Sequence, residues 1–115
     1  MNEILRKRLR DALDAAFDAI EFMGNRSLEE FEQNKQLGFA VSYALIIVGE
    51  ALNAANEQLG DLALVEAIPE LRAIISTRNR IVHGYDDVDD AIVWSIVDDG
   101  LPKLIAQIEH LLNSS

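Results

Sequence analysis

Cysteine is absent from the 115 residues, which excludes disulfides, thiolate metal sites and cysteine nucleophiles together. Proline occurs only twice, as Pro69 and Pro102, so few positions forbid a helix. Cations are scarce: 10 Lys and Arg stand against 20 Asp and Glu, a formal net charge of −10. A polyanion is held by cations that displace its counterions, so this balance excludes a general, non-specific nucleic-acid binder. Long apolar runs are missing as well. Ala44-Leu45-Ile46-Ile47-Val48 is closed by Gly49-Glu50 and falls far short of the roughly 20 residues that span hydrocarbon. The opening Met1 to Arg10 carries charges with no apolar stretch behind them, unlike a secretory signal. These absences predict a cytoplasmic chain with no membrane segment.

What is present is a helical pattern. Half of the residues are hydrophobic, enough for a chain of this size to bury a core as one domain spanning residues 1–115. Leu5, Leu9, Ala12, Leu13, Ala16, Phe17, Ile20 and Met23 recur at steps of three and four, predicting one buried stripe on a helix from Asn2 to Met23. Gly24-Asn25 stops it, and Ser27-Leu28-Glu29-Glu30 has the form of a capping box. A second long helix is expected over Lys35 to Asn56, with Leu37, Ala40, Val41, Ala44, Leu45, Val48, Ala51, Leu52 and Ala55 on one face and Ile46 and Ile47 off it, followed by a loop or frayed end over Asn56 to Asp61. A third is expected from Pro69, suited to a first turn, to Gly84, placed as a left-handed C-terminal glycine. Asp86 to Asp90 then offers caps for a last helix that Gly100 and Pro102 bend. The fold class expected is all-α: an up-and-down bundle of four to five helices.

One segment is unlike ordinary bundle sequence: Arg78-Asn79-Arg80-Ile81-Val82-His83-Gly84-Tyr85. It lies in a stretch from Leu71 to Gly84 that contains no acid, a local basic patch on an acidic chain. On an ideal helix Asn79 and His83 share a face, whereas Arg78 and His83 lie about 140° apart. Either Arg78 reaches around or the helix loosens at its end. Such a set suits RNA cleavage by attack of the 2′-hydroxyl on its own phosphodiester. Histidine serves the proton transfers, and the arginine fork matches the charge on the phosphorane oxygens. The chemistry calls for no metal and no cofactor. Two proton transfers are easier if two chains each bring His83, as a two-fold dimer allows; Ile46, Ile47 and Trp94, left over from the main stripes, also point to at least a dimer.

Arg78-x-x-x-x-His83-x-Tyr85, preceded by Ile75-Ser76-Thr77 and followed by Asp86 and Asp89, resembles the signature of the HEPN superfamily, in particular its HepT branch. Ser27-Leu28-Glu29-Glu30-Phe31, Ile46-Ile47-Val48-Gly49-Glu50-Ala51, Ile92-Val93-Trp94 and Leu101-Pro102 resemble the same branch in order and spacing, over nearly the whole chain. The resemblance implies a HEPN-like homodimer whose paired motifs form a metal-independent endoribonuclease, the toxin of a toxin–antitoxin pair. It implies an MntA-like nucleotidyltransferase as antitoxin, which silences the toxin by transferring AMP to the motif tyrosine, here Tyr85. Carried over residue by residue, Arg78 and His83 are catalytic, Asn79 orients them, and Glu50 is an ion partner for a motif arginine. Two positions depart from the pattern: Tyr43 stands where many relatives have arginine, and Glu70 follows Ile68-Pro69 where tryptophan is common.

Plainer roles stand beside these. Arg78 is equally able to pair with Glu50 or Asp86 for structure alone, and Arg80 to sit in solvent or touch a phosphate. Tyr85 can serve as an interfacial aromatic. The Asp86 to Asp90 cluster lacks the glycine and terminal glutamate of an EF-hand loop, so it reads as a cap. The competing function is a non-catalytic helical adaptor that holds a nucleotidyltransferase or a nucleotide in the same cleft.

Overall fold

The computed structural model describes residues 1–59, 64, 66–84 and 88–114. Helix α1 runs Glu3–Met23, α2 Leu28–Glu32, α3 Lys35–Leu59 and α4 Leu71–Gly84; α5, Asp90–Ser95, passes through a π-helical turn, Ile96–Gly100, into α6, Leu101–Asn113. No strand occurs among the described residues. The chain is an all-α bundle.

Local chemistry sets most of the ends. Asn2 caps α1, its Oδ1 accepting from the Leu5 amide at 2.7 Å. Gly24 closes the helix at φ 58°, a conformation that disfavours any side chain, with its N–H on the Ile20 carbonyl at 2.9 Å. The capping box at α2 is complete: the Glu30 amide donates to Ser27 Oγ at 3.2 Å, and the Ser27 amide donates to Glu30 Oε1 at 3.0 Å. That backbone donor, and then the Ser27 hydroxyl, hold the Glu30 carboxyl below its ordinary pKa. Asn34 Oδ1 accepts from the Leu37 amide at the start of α3, and Asp89 caps α5 through the Ala91 amide at 2.8 Å.

Two boundaries differ from the expectation. Helix α3 continues past Asn56 to Leu59, because Glu57 and Gln58 are good helix formers and no breaker intervenes. Helix α4 starts at Leu71 rather than Pro69, with a tight turn ahead of it from the Ile68 carbonyl to the Leu71 amide. Gly84 is the last residue of α4, at the end expected for that helix. The bend expected from Gly100 and Pro102 is a π-turn, in which the Leu101 amide reaches back to the Ile96 carbonyl.

The central helix is α3, with α1 against one side and α4 against another, and α6 on α1. Leu9, Leu45, Leu52, Leu101, Leu104 and Ile108 are sealed in one core, each burial worth about 1.5–3 kcal/mol. In α1 the buried seam is Leu5, Leu9, Ala12, Ala15, Ala16, Ala19 and Met23; Phe17, expected inside, is 47% exposed. The alanines let α1 and α3 approach closely, and a large ring has no room in that seam. Ile46, Ile47 and Trp94 are half-buried and pack on the core, with the Trp94 indole donating to the Arg26 carbonyl at 3.0 Å. Each keeps part of its surface exposed. Lys35–Gln58, at mean hydropathy 1.6, is long and apolar enough to cross a membrane, which the short run Ala44 to Val48 did not foretell. Here it is the core helix, with Val41, Leu45, Val48 and Leu52 buried.

Candidate active site

The site begins where α4 crosses α3. Gly49 is buried at the crossing, and a Cβ there would lie 2.4 Å from Arg78 Cβ and 2.6 Å from its Cγ. No side chain fits in that space, so the missing Cβ is what lets the stem of Arg78 lie across α3. The guanidinium emerges beside the next residue of α3. Its Nη2 donates to Glu50 Oε1 at 2.9 Å, and its Nη1 donates to Asn79 Oδ1 at 2.8 Å. Nε is buried with no hydrogen-bond partner among the described residues.

Magnitudes decide what this pair does. The Arg78 side chain is 26% exposed and that of Glu50 58%, so water screens the attraction and the pair adds about 0–1 kcal/mol to stability. Its consequence is positional. Two acceptors on two elements hold the planar fork in one orientation, which a flexible surface arginine would not keep.

Helix α4 stays regular through Gly84, which settles how Arg78 and His83 stand to each other. They lie about 140° apart around the axis and about 7.5 Å along it. Arg78 turns inward over Gly49, and His83 faces solvent. The loosening of the helix end that would join them does not occur. Asn79 and His83 share the outer face, both exposed, so Asn79 stands between the two groups and touches the guanidinium.

Arg80 is exposed, has no ion pair among the described residues, and borders a shallow groove of about 290 Å³ with Ser76, Asp89 and Ile92. Tyr85 and Asp86 lie outside the described residues. Among the described residues no three His, Cys, Asp or Glu side chains gather as metal ligands do. Thr77 is buried with its hydroxyl on the Ala73 carbonyl at 2.9 Å, fixing the turn below Arg78.

The position that residue-type reasoning passed over is Gly49. A glycine inside an apolar helix is a signal for close backbone or side-chain approach, and here the approaching group is the motif arginine. Phe39, on the exposed side of α3, was passed over as well, and Tyr43 beside it was singled out only as a departure from the family pattern.

Comparison with known proteins agrees with this architecture. The ribonuclease HepT-like family matches residues 12–111. A Methanocaldococcus jannaschii protein named as a candidate RNase is 33% identical over 103 residues, covering 88% of this chain and 90% of that one. A second from the same organism, similarly named, is 26% identical over 110 residues, covering 94% and 87%. A Thermococcus cleftensis protein named as a candidate ribonuclease HepT is 29% identical over 113 residues, covering 93% and 98%. No solved structure matches the chain significantly. The chain belongs to the ribonuclease HepT-like family.

Proposed function

We propose that residues 1–115 act as one domain, a cytoplasmic homodimer that cuts RNA without a metal ion as the toxin of a toxin–antitoxin pair. The observation that carries this reading is the Arg78 fork, oriented by Glu50 at 2.9 Å and Asn79 at 2.8 Å, on the same helix as a solvent-facing His83. Within one chain these groups diverge, so the reaction uses two. A two-fold pairing that sets the His83 face of each α4 against the Arg78 edge of the other copy would bring two imidazoles and two guanidinium groups to one phosphodiester.

In that cleft one neutral His83 takes the proton of the ribose 2′-hydroxyl, and the oxygen attacks the adjacent phosphorus. The forks of Arg78 hold the charge that grows on the phosphorane oxygens. The bond from phosphorus to the 5′-oxygen breaks, and that oxygen takes a proton from the partner's His83, leaving a 2′,3′-cyclic phosphate and a 5′-hydroxyl. Asn79 keeps the fork in register, and Arg80 contacts a flanking phosphate. Silencing follows when an MntA-like nucleotidyltransferase directs the Tyr85 hydroxyl to the α-phosphorus of ATP; pyrophosphate leaves and AMP stays on the ring.

Purified protein should degrade RNA in EDTA, and His83→Ala should abolish this while the helical spectrum and melting temperature are kept. Activity lost on chelation, or kept in the variant, contradicts the reading. Intact mass after co-expression with the nucleotidyltransferase should rise by the AMP increment, and Tyr85→Phe should remove that increment. The competing reading, a non-catalytic adaptor, is favoured by one observation: both terminal nitrogens of Arg78 already have acceptors within the chain. It expects a stable complex with the nucleotidyltransferase and no cleavage under any condition.

A further inference from the structure

Beside the α4 crossing, a groove of about 580 Å³ runs along the outer face of α3, within the roughly 300–1,000 Å³ range of small-molecule sites. We propose that it is a subsite for one unpaired nucleobase of the RNA strand, stacked on Tyr43 and Phe39; this rests on the ribonuclease reading above. Phe39 is 57% and Tyr43 67% exposed, and at a spacing of four they present two rings on one helix face. Their exposure leaves the Tyr43 ring open to a flat partner, while the Lys35 ammonium sits over the Phe39 ring, and base–aromatic stacking tolerates any base. Gly38 keeps the floor open, since a Cβ there would meet nothing within 4 Å.

The polar rim decides the class of occupant. The Lys35 ammonium stands 5.8 Å from the Phe39 ring centroid, and Glu32 and Asp90 border the same groove. An apolar helix from a second copy would strip water from all three charges without replacing it. A nucleotide satisfies them: its phosphate meets Lys35, and exocyclic amino hydrogens of adenine, cytosine or guanine meet a carboxylate. The groove lies on the same face of α3 as the candidate active site, because Tyr43 and Glu50, seven positions apart, share that face about 10.5 Å apart along the helix axis. A strand gripped at its phosphodiester by Arg78 and His83 would lay a neighbouring base here.

The test uses the full chain and uncleavable 2′-O-methyl oligonucleotides followed by fluorescence anisotropy. Oligoadenylate should bind about tenfold or more tighter than the same backbone without bases, and tighter than oligouridylate. Tyr43→Ala and Phe39→Ala should each lose about that factor for oligoadenylate but not for the abasic strand, Tyr43→Trp should restore it, and Gly38→Leu should block it by filling the floor. Equal affinity for abasic and base-bearing strands overturns the proposal. So does a dimer that separates in sedimentation when Phe39 or Tyr43 is removed, which would assign this face to contact between copies. Base-dependent binding by a wild-type protein that cuts no RNA would leave the subsite standing and remove the ribonuclease reading instead.

Discussion

Arg78 occupies the space that a side chain on Gly49 would need: the two Cβ positions would be 2.4 Å apart. Gly49→Ala must therefore push α4 off α3 or throw Arg78 out of its rotamer, a strain of about 1–3 kcal/mol. The check is a urea titration, with a lower midpoint at unchanged slope. RNA cleavage should fall alongside, because the Glu50 contact moves with the helix. A midpoint equal to wild type would mean that the crossing is looser than described.

Lysine keeps the charge of Arg78 but not its fork. In Arg78→Lys one ammonium cannot reach both Glu50 Oε1 and Asn79 Oδ1 in the geometry seen here. Stability should change by no more than about 1 kcal/mol, as befits a part-exposed pair, while RNA cleavage should drop about 100-fold or more. Loss of stability without loss of cleavage would assign Arg78 a purely structural role.

The capping box of α2 predicts a pH effect. Glu30 has its pKa lowered in the fold, first by the Ser27 backbone amide and then by the Ser27 hydroxyl. A depressed folded-state pKa gives stability that is present above the unfolded value and lost as pH falls through the folded one. The melting temperature should thus decline more steeply with acid below the ordinary carboxylate range in wild type than in Glu30→Gln. Ser27→Ala, which removes the cap, should cost about 1 kcal/mol near neutral pH. Parallel acid profiles for wild type and Glu30→Gln would remove the carboxylate from the cap.

Much of this was legible in the chain, for identifiable reasons. The box at Ser27 and Glu30 and the cap at Asp89 depend on neighbours within three residues, so local spacing reveals them. The periodicity of α3 placed Val41, Leu45, Val48 and Leu52 inside, where they are. Phe17 was misplaced because hydrophobicity ranks phenylalanine above alanine, whereas close helix packing selects Ala15 and Ala19. At the candidate site, the motif itself stood out as Arg78 to Tyr85, but the notch at Gly49 did not. It depends on where two helices cross, 29 positions apart in the chain, and no local pattern encodes that. The divergence of Arg78 and His83 was foreseen from helix geometry; which way it resolves depended on the helix staying regular to Gly84.

Whether two imidazoles serve one phosphodiester can be measured by mixing subunits. Wild-type protein is titrated with His83→Ala under conditions where dimers exchange, at fixed total protein, and RNA cleavage in EDTA is followed. If acid and base come from opposite chains, only all-wild-type dimers cut, and the rate falls as the square of the wild-type fraction. A rate that falls in direct proportion to that fraction would show each chain working with its own His83, and the shared cleft would be wrong.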